Sequence, residues 1–180
     1  MLAICQNLVY NRDIILKTGE KKVNVLGIRV TPKYIYFAVV NNNDDGIILD
    51  VLDKIVIPIS MDVPEQLSFV RTTLFSVIRE HDIKNAGIRR MEDNLPSKKL
   101  SLIIARAYFE GVIQELISNC SVERYFSGRI QTVAKLLSQP PNVIKKLFDG
   151  EENLFNIDRW DEYAKEEREC ITCAIAAIGI

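Results

Sequence analysis

The spacing of apolar residues changes period along the chain, and the change orders its elements. From residue 23 to 59, apolar residues fall in short β-branched blocks separated by turn residues, which predicts strands. Residues 23–30 (VNVLGIRV) form the first block, Thr31-Pro32-Lys33 a turn, and residues 34–40 (YIYFAVV) the second block. Residues 41–46 (NNNDDG) make the strongest turn in the chain, because Asn, Asp and Gly tolerate positive φ. Residues 47–59 form a third strand, closed by Pro58. Strands joined this tightly pair as an antiparallel meander.

Beyond residue 60 the helical period takes over and then alternates with strands. Asp62 caps a helix with Pro64 and Glu65 in its first turn, and Leu67, Val70, Leu74, Val77 and Ile78 line one face to about residue 79. Residues 85–91 (NAGIRRM) read as a short buried strand. Ser97 opens a helix over 98–118 that is apolar nearly all round, so it should be central and covered. Residues 122–126 predict a fifth strand, and 131–137 and 142–148 two short helices split by Pro140-Pro141. A last helix spans 162–178 with Ile171, Ala174, Ile175 and Ile178 on one face. The order β-β-β-α-β-α-β-α-α predicts a mixed five-stranded sheet in a three-layer α/β/α sandwich over 23–180. Residues 1–22, polar around Ile14-Ile15-Leu16, read as an N-terminal appendage.

Composition narrows the setting. With 180 residues, 48% hydrophobic, the chain can build its core without disulfides or metal. The 23 basic and 24 acidic residues exclude a generally basic nucleic-acid-coating protein and leave room for a local basic patch. Mean hydropathy is high at +0.05, yet no run approaches the roughly 18 apolar residues of a membrane span. The start lacks a basic region before its apolar residues, so no secretory signal is expected, and a cytoplasmic protein with reduced thiols is the expectation. Cys170 and Cys173 form a Cys-x-x-Cys, but only the isolated Cys5 and Cys120 could complete a zinc site, so small apolar packing roles are expected.

No Gly-rich phosphate loop and no Gly-x-Ser-x-Gly elbow occurs. His81, the one histidine, follows a helix end, where capping suits an imidazolium better than general-base work. Basic residues gather at Lys98-Lys99 and Lys145-Lys146, with Arg124, Arg129 and Lys135 between. Solvated helix faces account for most of them, and a shared face would imply a nucleic-acid contact. Trp160 and Tyr163, inside an acidic stretch, would either anchor a partner or dock the last helix.

Several segments together resemble the ribonuclease H-like fold, in particular the RuvC-like Holliday-junction resolvase group, over about residues 23–178. Residues 25–30 (VLGIRV) resemble that group's first strand, apolar-apolar-Gly-Ile-Asp. Residues 86–90 (AGIRR) fall where its fourth strand ends in a catalytic Glu, 99–114 resemble its next helix, and 122–134 its fifth strand and basic turn. Glu166-Glu-Arg-Glu169-Cys170 stands where the group has Asp-x-x-Asp-Ala on its last helix. The chain also resembles small uncharacterised bacterial proteins of the same fold, a resemblance that implies no activity. The resolvase resemblance implies two divalent metals held by carboxylates, cleavage of phosphodiesters, and pairing into a homodimer through helices.

The motifs depart from the group where its chemistry sits. Arg29 and Arg89 occupy two carboxylate positions, and only Glu166 and Glu169 keep the sign of charge. A guanidinium cannot ligate a cation and repels one, so no metal and no catalysis are expected. Arg29 and Arg89 are instead expected to pair with Glu169 and Glu110. Glu110 lies on the apolar line Ile103, Ala107, Ile113, Ile117, with Arg106 a second partner one turn earlier. Unpaired arginines would bind a phosphate or carboxylate. The expected function is a catalytically degenerate, nucleic-acid-binding or assembly component, as a homodimer or in a larger complex. The alternative is a Mg²⁺- or Mn²⁺-dependent nuclease using Glu110, Glu166 and Glu169, with Glu92 or Asp93.

Overall fold

The structure is a computed structural model that describes residues 23–43, 46–92 and 100–180. Its strands are β1 (Val23–Val30), β2 (Tyr34–Asn43), β3 (Gly46–Val56), β4 (Ile83–Arg89) and β5 (Arg124–Gly128). Its helices are α1 (Val63–Glu80), α2 (Leu100–Ser118), α3 (Ile130–Leu136), α4 (Pro141–Asp149) and α5 (Lys165–Ala176). The sheet runs β3-β2-β1-β4-β5. β1, β2 and β3 pair antiparallel, whereas β4 pairs parallel to β1 and to β5.

Strand alternation divides the sheet into two cores. Leu26, Ile28, Ile35, Val39 and Ile88 pack with Val70, Leu74 and Ile78 of α1 and with Ile113 and Leu116 of α2. Val25, Ala38 and Val40 face the other way, onto α3, α4 and α5. The expected mixed sheet between two helical layers is therefore observed.

Several boundaries move. Asn41, Asn42 and Asn43 pair with Ile48, Ile47 and Gly46, so β2 outlasts residue 40 and runs into the span expected to turn. β3 stops at Val56, ahead of Pro58, and Ile59 is 95% exposed. β4 and β5 sit two residues from their expected places, which puts Arg90 and Met91 just beyond the strand end. α1 follows its signature: Asp62 accepts from Glu65 N–H at 3.0 Å, and Glu65 accepts from Asp62 N–H at 3.1 Å.

The covered helix is α5, not α2. On α2, Leu100, Leu102, Ile104 and Tyr108 are 66%, 39%, 41% and 51% exposed. On α5, every residue from Arg168 to Ala176 is buried. It lies against β1 and β4 because those strands present glycine there. A methyl group on Gly27 would strike the carbonyl of Cys170 and sit 2.6 Å from Ala174 N, and one on Gly87 would strike the carbonyl of Cys173. The Cys-x-x-Cys is thus buried packing, with burial pushing the Cys173 thiol up to about 12 and Cys170 well above its usual value.

Trp160 docks the segment before α5. It is buried, and its indole N–H donates to Leu147 O at 3.1 Å. Tyr163 meets its ring edge-on at 6.3 Å between centroids. Arg168 donates from Nε to Phe148 O at 2.8 Å and from Nη1 to the carbonyls of Trp160 and Tyr163, tying the end of α4 to this segment. Among the described residues, no helix is long and apolar enough to cross a membrane. The 1–22 appendage, Cys5, Asp93, Ser97, Lys98 and Lys99 lie outside the described residues.

Candidate functional site

One row of residues crosses the sheet beside α5. Register pairs Lys54 with Tyr36, Tyr36 with Arg29, Arg29 with Arg89, and Arg89 with Gly128. Alternation sends Ile28 and Ile88 into the α1/α2 core and leaves their neighbours Arg29 and Arg89 facing α5, one turn before Cys173.

Glu169 of α5 stands between the two arginines. Its Oε2 forms a close ion pair with Arg29 Nε, and its Oε1 lies 3.8 Å from Arg89 Nε. The Glu169 side chain is 4% exposed, and those of Arg29 and Arg89 are 14% and 4% exposed. Burial pushes the Glu169 carboxyl above its usual value; Arg29 and Arg89, then Lys165, pull it back.

The other end of Arg89 fixes the chain after β4. Nη1 donates to Arg90 O and Nη2 to Glu92 Oε1, each at 2.5 Å, and its guanidinium carbon lies 5.5 Å from the Phe148 ring centroid. Glu92 Oε1 also accepts from Ile130 N–H at 3.1 Å, the first residue of α3. Glu92 is therefore a clamp between β4 and α3. Arg90 N–H donates to Gly128 O at 2.8 Å and Arg129 Nε to Met91 O at 3.3 Å, closing the same junction.

Glu110 forms a second node. One oxygen accepts from Met91 N–H and from Arg106 Nε, both at 3.2 Å. Burial raises its carboxyl, opposed by the Met91 hydrogen bond and by the charges of Arg29, Arg90 and Arg89. Arg106 is thus its direct partner, while Arg29 and Arg89 act on it through space. Arg106 Nη2 and Arg89 Nε are buried without a hydrogen bond.

Glu166 does not join these pairs. It is half-buried on the first turn of α5, and its charge acts on Tyr36 and Glu169. Among the described residues, no group of three or more His, Cys, Asp or Glu side chains is placed to hold a metal ion. His81 ends α1, its N–H on Val77 O and its Nδ1 3.9 Å from Asp50 Oδ2. Lys135, Lys145 and Lys146 are exposed on α3 and α4, on the α5 side of the sheet, and Arg124 donates to Ile180 O at 2.7 Å.

Sequence reasoning passed over Arg90, Arg168 and the clamp made by Glu92. For Glu92 a signal existed, the Arg89-x-x-Glu92 spacing, but it acts here only because the strand ends at Arg89 and turns toward α3.

No family model and no curated protein matches the chain. Solved structures do match its fold. Thermus thermophilus RuvC superposes with a TM-score of 0.67 at 10% identity, over 86% of this chain and 92% of that one. RuvC of the same organism in complex with a Holliday junction substrate gives 0.63, also at 10% identity with 86% and 92% covered. The yeast mitochondrial Holliday junction resolvase gives 0.56 at 15% identity, over 92% of this chain and 81% of that one. The chain therefore has the ribonuclease H-like fold that these Holliday junction resolvases share.

Proposed function

We propose that this domain is a catalytically silent version of the resolvase fold, acting as a nucleic-acid-binding or assembly component. One observation carries the reading: Arg29 and Arg89 stand side by side with Glu169 between them, in the row the resemblance assigns to metal ligands. A hard divalent cation needs several oxygen ligands, and here two guanidinium groups take that space and charge. The residues do not fit Mg²⁺ or Mn²⁺, so no cleavage step runs through either ion.

The Arg–Glu network supplies instead what a structural centre supplies. It closes the parallel strands β1 and β4 onto α5 and, through Glu92, onto α3. A Holliday junction is the substrate bound to RuvC in its complex, and a nucleic acid is the ligand we assign to this chain. Exposed Lys135, Lys145 and Lys146, and Arg90 beside the network, would meet its phosphates. The exposed apolar stripe of α2, Leu100, Ile104 and Tyr108, would pair with a second copy or with a larger complex.

The test joins a nuclease assay with Mg²⁺ and Mn²⁺ on branched and single-stranded DNA to mobility shifts over several DNA and RNA forms. The expected result is binding that weakens steeply with salt and no cleavage. Metal-dependent cleavage lost in Glu169→Gln would overturn the reading in favour of a nuclease using Glu110, Glu166 and Glu169.

A further inference from the structure

Among the described residues, the charges around Glu110 do not cancel: Arg29, Arg89, Arg90 and Arg106 stand with Glu110, Glu169 and Glu92, four cations against three anions. The surplus also has an unused donor. Arg106 spends Nε on Glu110, yet its Nη2 is buried with no acceptor, on a residue only 8% exposed. Arg89 Nε is buried without a hydrogen bond but faces Glu169 Oε1 at 3.8 Å. A buried guanidinium N–H without an acceptor is costly, so an acceptor supplied from outside binds where that cost is relieved. Beside this cluster, Arg90 is exposed and has no ion pair among the described residues, and the Glu92 side chain is 39% exposed.

From these features we infer that the end of β4 and the facing turn of α2 form an oxyanion subsite, with Arg90 and Arg106 as its two arms and Arg89 behind them. The ligand is a tetrahedral oxyanion of the phosphate class. A guanidinium offers paired donors to two of its oxygens, and Arg106 has an Nη2 donor to spare. Glu110 orients Arg106. The site thereby reverses the preference that a carboxylate cluster would have for cations. The inference rests on the reading that no metal occupies this row. It goes further in naming what is bound.

The probe is inorganic phosphate, titrated calorimetrically into the full chain with sodium chloride holding the ionic strength constant. The expected result is a saturable one-to-one isotherm, weakened about tenfold or more by Arg90→Gln and by Arg106→Gln. Arg90→Gln changes an exposed side chain, so it reports binding even where Arg106→Gln fails to fold. Competition with a single-stranded oligonucleotide separates the sources. Displacement of phosphate marks a backbone phosphodiester as the ligand, and phosphate binding that the oligonucleotide does not disturb marks a free phosphate or phosphomonoester. Heat no greater than the chloride control, or an Arg90→Gln protein that binds as the parent does, overturns the subsite. A parallel Mn²⁺ titration keeps the two proposals apart. Silence to both probes overturns the subsite alone, and stoichiometric Mn²⁺ binding lost in Glu169→Gln overturns the metal-free reading beneath it.

Discussion

Arg29 and Arg89 are register partners on adjacent parallel strands, and both turn their guanidinium groups to the one carboxylate of Glu169. Two like charges so close and so little exposed are tolerable only because an opposite charge lies between them and Glu92 shares the load of Arg89.

Removing that charge should be expensive. Glu169→Ala is expected to cost about 3–5 kcal/mol, because it strands two buried cations, whereas Arg29→Met, Arg89→Leu and Glu169→Leu combined should recover most of the loss. Urea unfolding of the two variants measures the contrast. A Glu169→Ala protein within about 1 kcal/mol of the parent would show that the pairing holds nothing.

Glycine to alanine should have opposite signs at two positions. Gly27→Ala forces a methyl group into the backbone of α5 and is expected to cost at least about 2 kcal/mol. Gly111→Ala meets nothing within 4 Å on α2 and should stabilise the helix by about 1 kcal/mol. Thermal melting of both proteins checks the pair, and equal effects would refute the account of α5 packing.

Stability should also carry an unusual slope with pH. Burial raises the Glu110 carboxyl above its ordinary 4.5, so the folded chain keeps that proton to higher pH than the unfolded chain does. The contribution is present in full below the unfolded value and is lost as pH rises through the folded one. The urea midpoint of the parent is expected to drop over this window by more than that of Glu110→Gln. Parallel curves between about pH 4 and pH 8 would contradict it.

Thiol labelling reads the core directly. Among the described cysteines, only the half-buried Cys120 should react with maleimide in the native protein, while Cys170 and Cys173 stay protected until unfolding. Mass spectrometry of labelled peptides tells them apart, and fast native labelling of Cys173 would show that α5 opens.

The exposed stripe of α2 makes a prediction about assembly. If it joins two copies, Ile104→Asp and Tyr108→Asp should each turn a dimer into a monomer in sedimentation equilibrium without lowering the melting temperature. A monomeric parent protein would remove the homodimer from the proposal.

Much of the fold was legible because its signals are local. β-branched blocks, the Thr31-Pro32-Lys33 turn and the Asp62 cap with Pro64 and Glu65 behind it each act within a few residues, and each led to the right element. Both arginines of the site were legible for the same reason, as departures at fixed places in two strand motifs. The clamp of Glu92 was not, since its partners, Arg89 at a strand end and the first N–H of α3, meet only after β5 has been added to the sheet.

The helices mark the boundary most clearly. The sequence alone determined that α2 is apolar nearly all round and that α5 carries a face of Ile171, Ala174 and Ile175, and hydropathy favours the larger apolar volume as the centre. Tertiary structure decided otherwise. Gly27 and Gly87 remove the side chains between sheet and helix, so the backbone of α5 comes into direct contact and small residues suffice to bury it, while α2, with no partner among the described residues on its outer face, keeps its apolar stripe exposed. A residue's hydrophobicity says that it gains by burial; which residue is buried depends on what the opposing surface leaves room for.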